Sequence, residues 1–389
     1  MGLVSRGPFH GSRYVIADYS ELLTPVGQLH KLWRLILGLE TTVDMRKLEK
    51  LRELYSDADG SEYLTSRFRH VGEKLADSPH SSNKPYSGIP TFLDLPFSES
   101  IDGLDVAVIG IPMDLGVTNR SGARFGPRAV RTIERIGPYS HALDEVPRGV
   151  LNAADVGDVP MRSRFSLADS LADIEAYFKS VVAAGVIPLS VGGDHSVTYP
   201  ILKALGEKEP VGMVHIDAHM DTGGAYEGEK FHHGGPFRQA VLAGVLDPDR
   251  CVQIGIRGST EFSGEFSYES GMTVIHAEDV ERRGIDSIVE TAKEVVGDQP
   301  FYITIDVDGI DPAYTPGTGT PEVGGLTPLQ VQMMLRELKG LNIIGGDVVE
   351  VAPQYDPTTN TAHVAAQLLF ELFALIAVGK QTFDPGETL

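Results

Sequence analysis

From residue 105 onward the chain alternates between short apolar runs and longer stretches whose apolar residues recur every three or four positions. The apolar runs are 105–111, 150–156, 187–193, 211–217, 251–257, 272–277, 301–306 and 343–351, each of a length that suits a buried strand. Helical periodicity fills most of the intervals: Gly126 to Ile136, Leu167 to Ala184 behind the cap Ser166, Ile285 to Val296, Pro328 to Lys339 behind Thr327, and Ala362 to Val378 behind Thr361. Strands that alternate with crossover helices predict an α/β domain, with a parallel sheet covered on both faces. Eight such units suit an open sheet or a closed barrel, and periodicity leaves both open.

The first 87 residues have another texture. Leu29, Leu32, Trp33, Ile36 and Leu39, then Leu48, Leu51, Leu54 and Tyr55, recur at helical spacing among charged residues, which predicts amphipathic helices. Asp77 to Gly88 is rich in turn formers and reads as a linker. The expected division is a helical N-terminal extension with its linker, 1–87, and the main α/β domain, 88–389.

Charge narrows the partners. The net charge of -21 argues against nucleic acid or an anionic membrane, which need a basic footprint, and suits a small cationic substrate. The single cysteine, Cys251, rules out an internal disulfide and points to a reducing, cytoplasmic setting. No secretory-type apolar segment is evident in the first residues. The run Val364 to Val378 carries Glu371 and falls short of the roughly 20 residues of a membrane span; a buried or subunit-facing helix is expected.

Parallel sheets place their chemistry beyond the C-terminal ends of the strands, and the acidic residues and histidines gather there. The run 187–193 leads into Asp194 and His195. The run 211–217 leads into Asp217-x-His219-x-Asp221, 301–306 into Asp306-x-Asp308, and 343–351 carries Glu350. On an extended chain residues two apart share a side, so Asp217, His219 and Asp221 are expected to converge. With His195, Asp306 and Asp308 they form an oxygen-rich set with two imidazoles, suited to Mn, Ni, Fe, Co or Zn. Six ligands exceed what one tetrahedral ion needs, which favours two ions.

Plainer readings exist for the parts. Asp194 reads as the cap of a tight turn, Asp306-x-Asp308 as an Asx-turn, and His215 as a core or supporting residue. His232 and His233 read as a solvated turn or as a mobile proton carrier. Gly317-Thr-Gly319 fits neither phosphate-loop spacing and reads as a loop walling a pocket. The run Arg120 to Arg128 reads as an anion site or as the lead into a helix. Four aspartates (about -4), two divalent ions (about +4) and a hydroxide (about -1) leave the cluster near -1. A substrate with one positive charge would neutralise it, and Glu350 offers a carboxylate able to pair with a planar guanidinium.

Five motifs in order, GGDHS (192–196), HIDAHMDT (215–222), HHGGPFR (232–238), IDVDGIDPAYTPGTGTPE (305–322) and DVVEVAP (347–353), resemble the ureohydrolase superfamily of arginases and agmatinases. The resemblance covers about residues 88–380, and GIPTFLDLP with RSGARFGPRAVR points to the agmatinase branch. It implies a three-layer α/β/α fold around an eight-stranded, mainly parallel sheet, assembled as a trimer or hexamer. By motif it implies one ion held by His195, Asp217, Asp221 and Asp306 and another by Asp217, His219, Asp306 and Asp308. It further implies Glu350 as the guanidinium acceptor, His233 as a proton shuttle, and Asp221 as the residue that orients the attacking water and passes its proton on. The implied reaction is hydrolysis at the guanidinium carbon to urea and an amine.

The whole chain is similar to the nickel-dependent guanidine hydrolases of that superfamily. This implies guanidine as substrate, nickel first and manganese second as the metal, and metallochaperones as candidate loading partners. The extension and the loops 118–124, 222–233 and 313–324 are then expected to close the space for a longer substrate tail. The alternatives are an agmatinase or guanidinobutyrase using manganese, and a catalytically silent binding or assembly protein on the same fold.

Overall fold

The computed structural model describes residues 44–56, 67–77, 87–134 and 136–382. The helix expected around Leu29 to Leu39 lies outside them. The chain divides into two compact units, 1–64 and 65–389. In the first, the helix Met45–Tyr55 starts at Asp44, whose carboxylate accepts from the N–H groups of Arg46 and Lys47. In the second, the helix Arg69–Asp77 is tied down by the ion pair of Lys74 with Glu145.

All eight expected strands form: β1 Val106–Gly110, β2 Ala153–Asp158, β3 Ile187–Val191, β4 Val211–Ile216, β5 Leu246–Ile256, β6 Thr273–His276, β7 Phe301–Asp306 and β8 Ile343–Val349. They pair in the order β2-β1-β3-β8-β7-β4-β5-β6, parallel throughout. The sheet is open, with β2 and β6 at its edges, and the barrel alternative falls. Alternation along the strands divides the core. Val106, Val108, Leu189, Val214 and Ile305 join the layer under the helices Ile285–Val296, Pro328–Glu337 and Asn360–Thr382. Ala107, Ile109, Met213 and Cys251 join the layer under Leu167–Ala183 and Thr198–Leu205. Strands buried on both faces explain why the apolar runs are continuous.

The five expected helices of the α/β domain form, and four further ones appear at Thr198–Leu205, Pro236–Leu242, Glu265–Ser270 and Ala277–Arg283. Each is too short to show a period. The C-terminal helix is longer than its apolar run, spanning Asn360–Thr382, and 78% of its most apolar window is buried within the fold. Its Glu371 is held by Arg336 in a two-bond pair at 2.6 and 2.9 Å, which satisfies a charge inside an apolar helix.

Just before that helix, Asp356 accepts from the N–H of Thr361 (2.6 Å) and of Thr358 (2.9 Å). Burial pushes its carboxyl up, but these donors outweigh it and hold it below the ordinary carboxylate value. A lowered pKa means stability present above the unfolded value, about 4, and lost as pH falls. Asp356→Asn is expected to cost about 1 kcal/mol at neutral pH, with the difference shrinking below about pH 4; denaturant midpoints of the two proteins across pH read this directly.

Candidate metal centre

The strands that end in acidic residues or histidines, β3, β8, β7 and β4, are consecutive neighbours in the middle of the sheet. Their C-terminal ends therefore stand side by side, which is the physical reason that motifs about 150 residues apart in sequence meet. Two glycines permit the close approach. A Cβ at Gly193 would lie 1.5 Å from the carbonyl oxygen of Met113, and one at Gly309 would lie 2.8 Å from the backbone nitrogen of Asp217.

His195 is fully buried, and its Nδ1 stands 3.0 Å from Asp217 Oδ2, 3.0 Å from Asp221 Oδ2 and 3.4 Å from Asp306 Oδ2. Its other nitrogen, Nε2, lies 2.8 Å from Thr304 Oγ1, which itself donates to Asp347 Oδ1 at 2.6 Å. Because the Thr304 hydroxyl spends its proton on Asp347, its oxygen accepts from His195 Nε2–H. Nδ1 then presents a lone pair to three carboxylate oxygens and has no hydrogen-bond partner. A cation among these four atoms resolves that contact. On the other flank, His219 Nδ1 lies 3.2 Å from Asp308 Oδ2 and 3.5 Å from Asp217 Oδ1. Asp217 thus turns one oxygen to each imidazole.

The convergence does not arise from continued extension. Past β4 the chain turns: the backbone N–H of His219 donates to Asp217 Oδ1 at 2.6 Å, and Asp221 takes a positive φ of 52°. The same device recurs at β7, where the N–H of Asp308 donates to Asp306 Oδ1 at 2.7 Å. An Asx-turn and a ligand pair are therefore compatible at this position: one oxygen builds the turn while the other faces the cluster. Glu350, like Asp221, has a positive φ, 64°. For residues with a Cβ this costs about 1–2 kcal/mol each, a strain that marks functional positions.

The electrostatics show the same excess of negative charge. Burial pushes the carboxyls of Asp306 and Asp308 up, and neighbouring carboxylates add to it, Asp308 reaching about 6. For Asp217 burial acts in the same direction, but His215, His195 and His219 outweigh it and hold the group well below the ordinary value. Burial lowers the affinity of His195 and His219 for protons, yet the surrounding aspartates raise both well above the usual imidazole range. Protons serve here where cations fit, and the donor set of four carboxylates and two imidazoles suits divalent ions.

Glu350 closes one side. Its Oε1 accepts from the backbone N–H of His195 at 2.9 Å and from His233 Nδ1 at 2.8 Å. Its Oε2 is buried without a partner. His233, expected as a proton carrier, is 7% exposed, and the Thr118 N–H points at its Nε2 from 3.0 Å. Burial opposes a charge on this ring, but Glu350, Asp194 and Asp221 push its pKa up to about 9. The Thr118 N–H requires a lone pair on Nε2, and cations in the cluster would cancel much of the negative field. The proton on His233 is therefore placed on Nδ1, facing Glu350. His232 contacts Gly224 O through Nε2 at 2.8 Å and takes no part in the cluster.

Other readings resolve plainly. Asp194 caps the turn at His195–Val197, accepting from Ser196 N at 2.9 Å. Arg120 donates to the carbonyls of Thr318 (2.6 Å) and Gly319 (3.1 Å) and stacks on Tyr355 at 4.3 Å, while Arg124 pairs with Asp114. Both side chains are engaged within the fold. The loop carrying Gly317 to Gly319 does wall the site: a Cβ at Gly319 would come 3.7 Å from Glu350 Oε2. Sequence reasoning missed Arg257, which donates to the carbonyls of Gly255, Asp308, Gly309 and Glu322 and pins the Asp308 turn from behind. An arginine closing the apolar run 251–257 was the available signal.

Three-layer folding around an open parallel sheet, with this cluster at the ends of its central strands, defines a hydrolase class built for cation-assisted chemistry. Residues 104–374 match the Arginase family model, and the chain belongs to that family. It is 48% identical over 296 residues to a guanidinopropionase from Pseudomonas aeruginosa, covering 75% of this chain and 93% of the relative. It is 46% identical to the mitochondrial agmatinase of Gallus gallus over 293 residues, 74% and 86% of the two chains. Among solved structures, the proclavaminate amidino hydrolase of Streptomyces clavuligerus superposes with a TM-score of 0.72 at 35% identity, over 76% of this chain and 100% of that one. The protein is a hydrolase of guanidino C–N bonds that releases urea.

Proposed function

We propose that the cluster holds two divalent ions and that the substrate is free guanidine, hydrolysed to urea and ammonia. The observation that carries the first step is Glu350 Oε2, a buried carboxylate oxygen with no partner beside the aspartate cluster. A guanidinium N–H donates to it in a charge-assisted bond, which places the planar cation with its carbon toward the metal ligands. Bound divalent ions supply the charge that makes water acidic enough to act as a nucleophile near neutrality. Asp221, at the open side of the cluster with 9% exposure, accepts the water proton and hands it to the leaving nitrogen. His233 keeps Glu350 oriented through Nδ1–H.

Guanidine is favoured over guanidino acids by the commitments of the loop 118–124. With Arg120 on backbone carbonyls and Arg124 on Asp114, neither cation is available to a substrate carboxylate. The second reading, a guanidino acid or agmatine as substrate, is supported by the names of the relatives. Nickel rests on the sequence resemblance alone, and manganese suits the same oxygen-rich donors equally. Urea release by protein loaded separately with Ni and Mn, offered guanidine, agmatine, 3-guanidinopropionate and 4-guanidinobutyrate, tests the proposal. A preference for guanidine of at least about tenfold in kcat/KM, about 1.4 kcal/mol, is expected. A preference of that size for a longer compound would overturn the substrate while leaving the cluster in place.

A further inference from the structure

Behind Asp217 lies a fully buried polar chain that the hydrolytic step does not use. His215 Nε2 stands 2.7 Å from Asp217 Oδ2. Gln253, from the neighbouring β5, places Nε2 3.0 Å from His215 Nδ1 and 2.6 Å from the carbonyl oxygen of Met220. The reverse orientation of the amide would set two carbonyl oxygens 2.6 Å apart, so the nitrogen must face Met220, and its second N–H serves His215. That choice leaves Gln253 Oε1 without a partner, a cost of about 1–3 kcal/mol for a buried acceptor. Both His215 and Gln253 are completely inaccessible, and Phe237 packs against His215 at 4.5 Å between ring centres.

The tautomer follows. Receiving a hydrogen bond at Nδ1, neutral His215 carries its proton on Nε2 and donates it to Asp217. His195 has the opposite arrangement, with Nε2 engaged by Thr304 and Nδ1 free. Two adjacent histidines, 5.2 Å apart between ring centres, are thus set to different tasks by their partners: one offers a lone pair to a cation, the other a proton to a ligand.

We propose that His215 is a positioning residue for the metal cluster, locked by Gln253 into the tautomer that donates to Asp217 and so fixes the carboxylate facing both ion positions. With His219 N–H on Oδ1 and His215 on Oδ2, both Asp217 oxygens are held in one orientation. Loss of such a partner lowers metal affinity about 10–100-fold. The inference rests on the two-ion reading above and does not depend on the substrate.

The test is metal bound per chain for the full-length protein, measured by competition with a graded chelator using Mn alone. His215→Phe keeps a ring against Phe237 and removes the donor; His215→Gln restores an N–H near the position of Nε2; Gln253→Leu removes only the lock. The expected result is an affinity about 10–100-fold weaker for His215→Phe, recovered to near wild type by His215→Gln and intermediate for Gln253→Leu. Melting of the metal-free proteins is followed in parallel, and Gln253→Leu carries the test where His215→Phe does not fold. Lowered melting with unchanged metal affinity would make the role structural and overturn the proposal. Loss of one ion per chain in His215→Gln as well would make His215 a ligand and overturn it too. Wild-type protein that binds no ion would overturn the two-ion reading together with it.

Discussion

Asp217→Asn is expected to abolish urea release by emptying the metal cluster, with the fold intact. Asp217 turns Oδ1 toward His219 and Oδ2 toward His195, and each oxygen also accepts a hydrogen bond, from His219 N–H and from His215. An amide at this position loses the charge that the two proposed ions would share. Its NH2 group must also face one of those two donors, whichever way it turns. Metal content after dialysis should fall from two ions per chain to less than one, and activity by more than the roughly 100-fold that loss of a mere supporting partner costs. Metal analysis and a urea assay on the same sample check this. Near-normal values for both would remove Asp217 from the site.

Glu350→Gln is expected to separate binding of the substrate from binding of the ions. The amide oxygen can still accept from His195 N–H, so the turn after β3 should hold, but the uncharged group no longer matches a guanidinium at the Oε2 position. Breaking a buried charge pair by removing one partner costs about 3–5 kcal/mol, on the order of 10²–10⁴ in kcat/KM. Metal content should stay at the wild-type level. Unchanged kcat/KM, or loss of metal, would assign Glu350 a different role.

Much of this architecture could be read from the chain because burial on both faces leaves continuous apolar runs, and all eight strands were marked that way. Element order was legible, but sheet order was not: pairing of β3 with β8, and of β7 with both β8 and β4, depends on contacts that local pattern does not encode. The short helices after β3, β4, β5 and β6 were missed because each has too few apolar residues to show a helical period. At the site, the residue types and the strand ends sufficed to choose His195, Asp217, His219, Asp221, Asp306 and Asp308. Their convergence was explained by alternation, whereas the structure uses Asx-turns at Asp217 and Asp306 and a positive φ at Asp221. The reading of His233 as a proton carrier followed from its glycine-flanked loop and from the motif resemblance. Its partner Thr118 lies 115 positions earlier and carries no sequence signal. Gln253 and Thr304 were invisible in the same way, since a polar residue inside a strand reads as noise until its partner is known.

Whether this cluster does its chemistry with two ions is read from urea release from guanidine as metal-free protein is titrated with Mn, and separately with Ni, while bound metal per chain is counted. Little activity at one ion per chain and a plateau at two are expected. Full activity at one ion per chain, or urea release from protein free of metal, would contradict the two-ion reading.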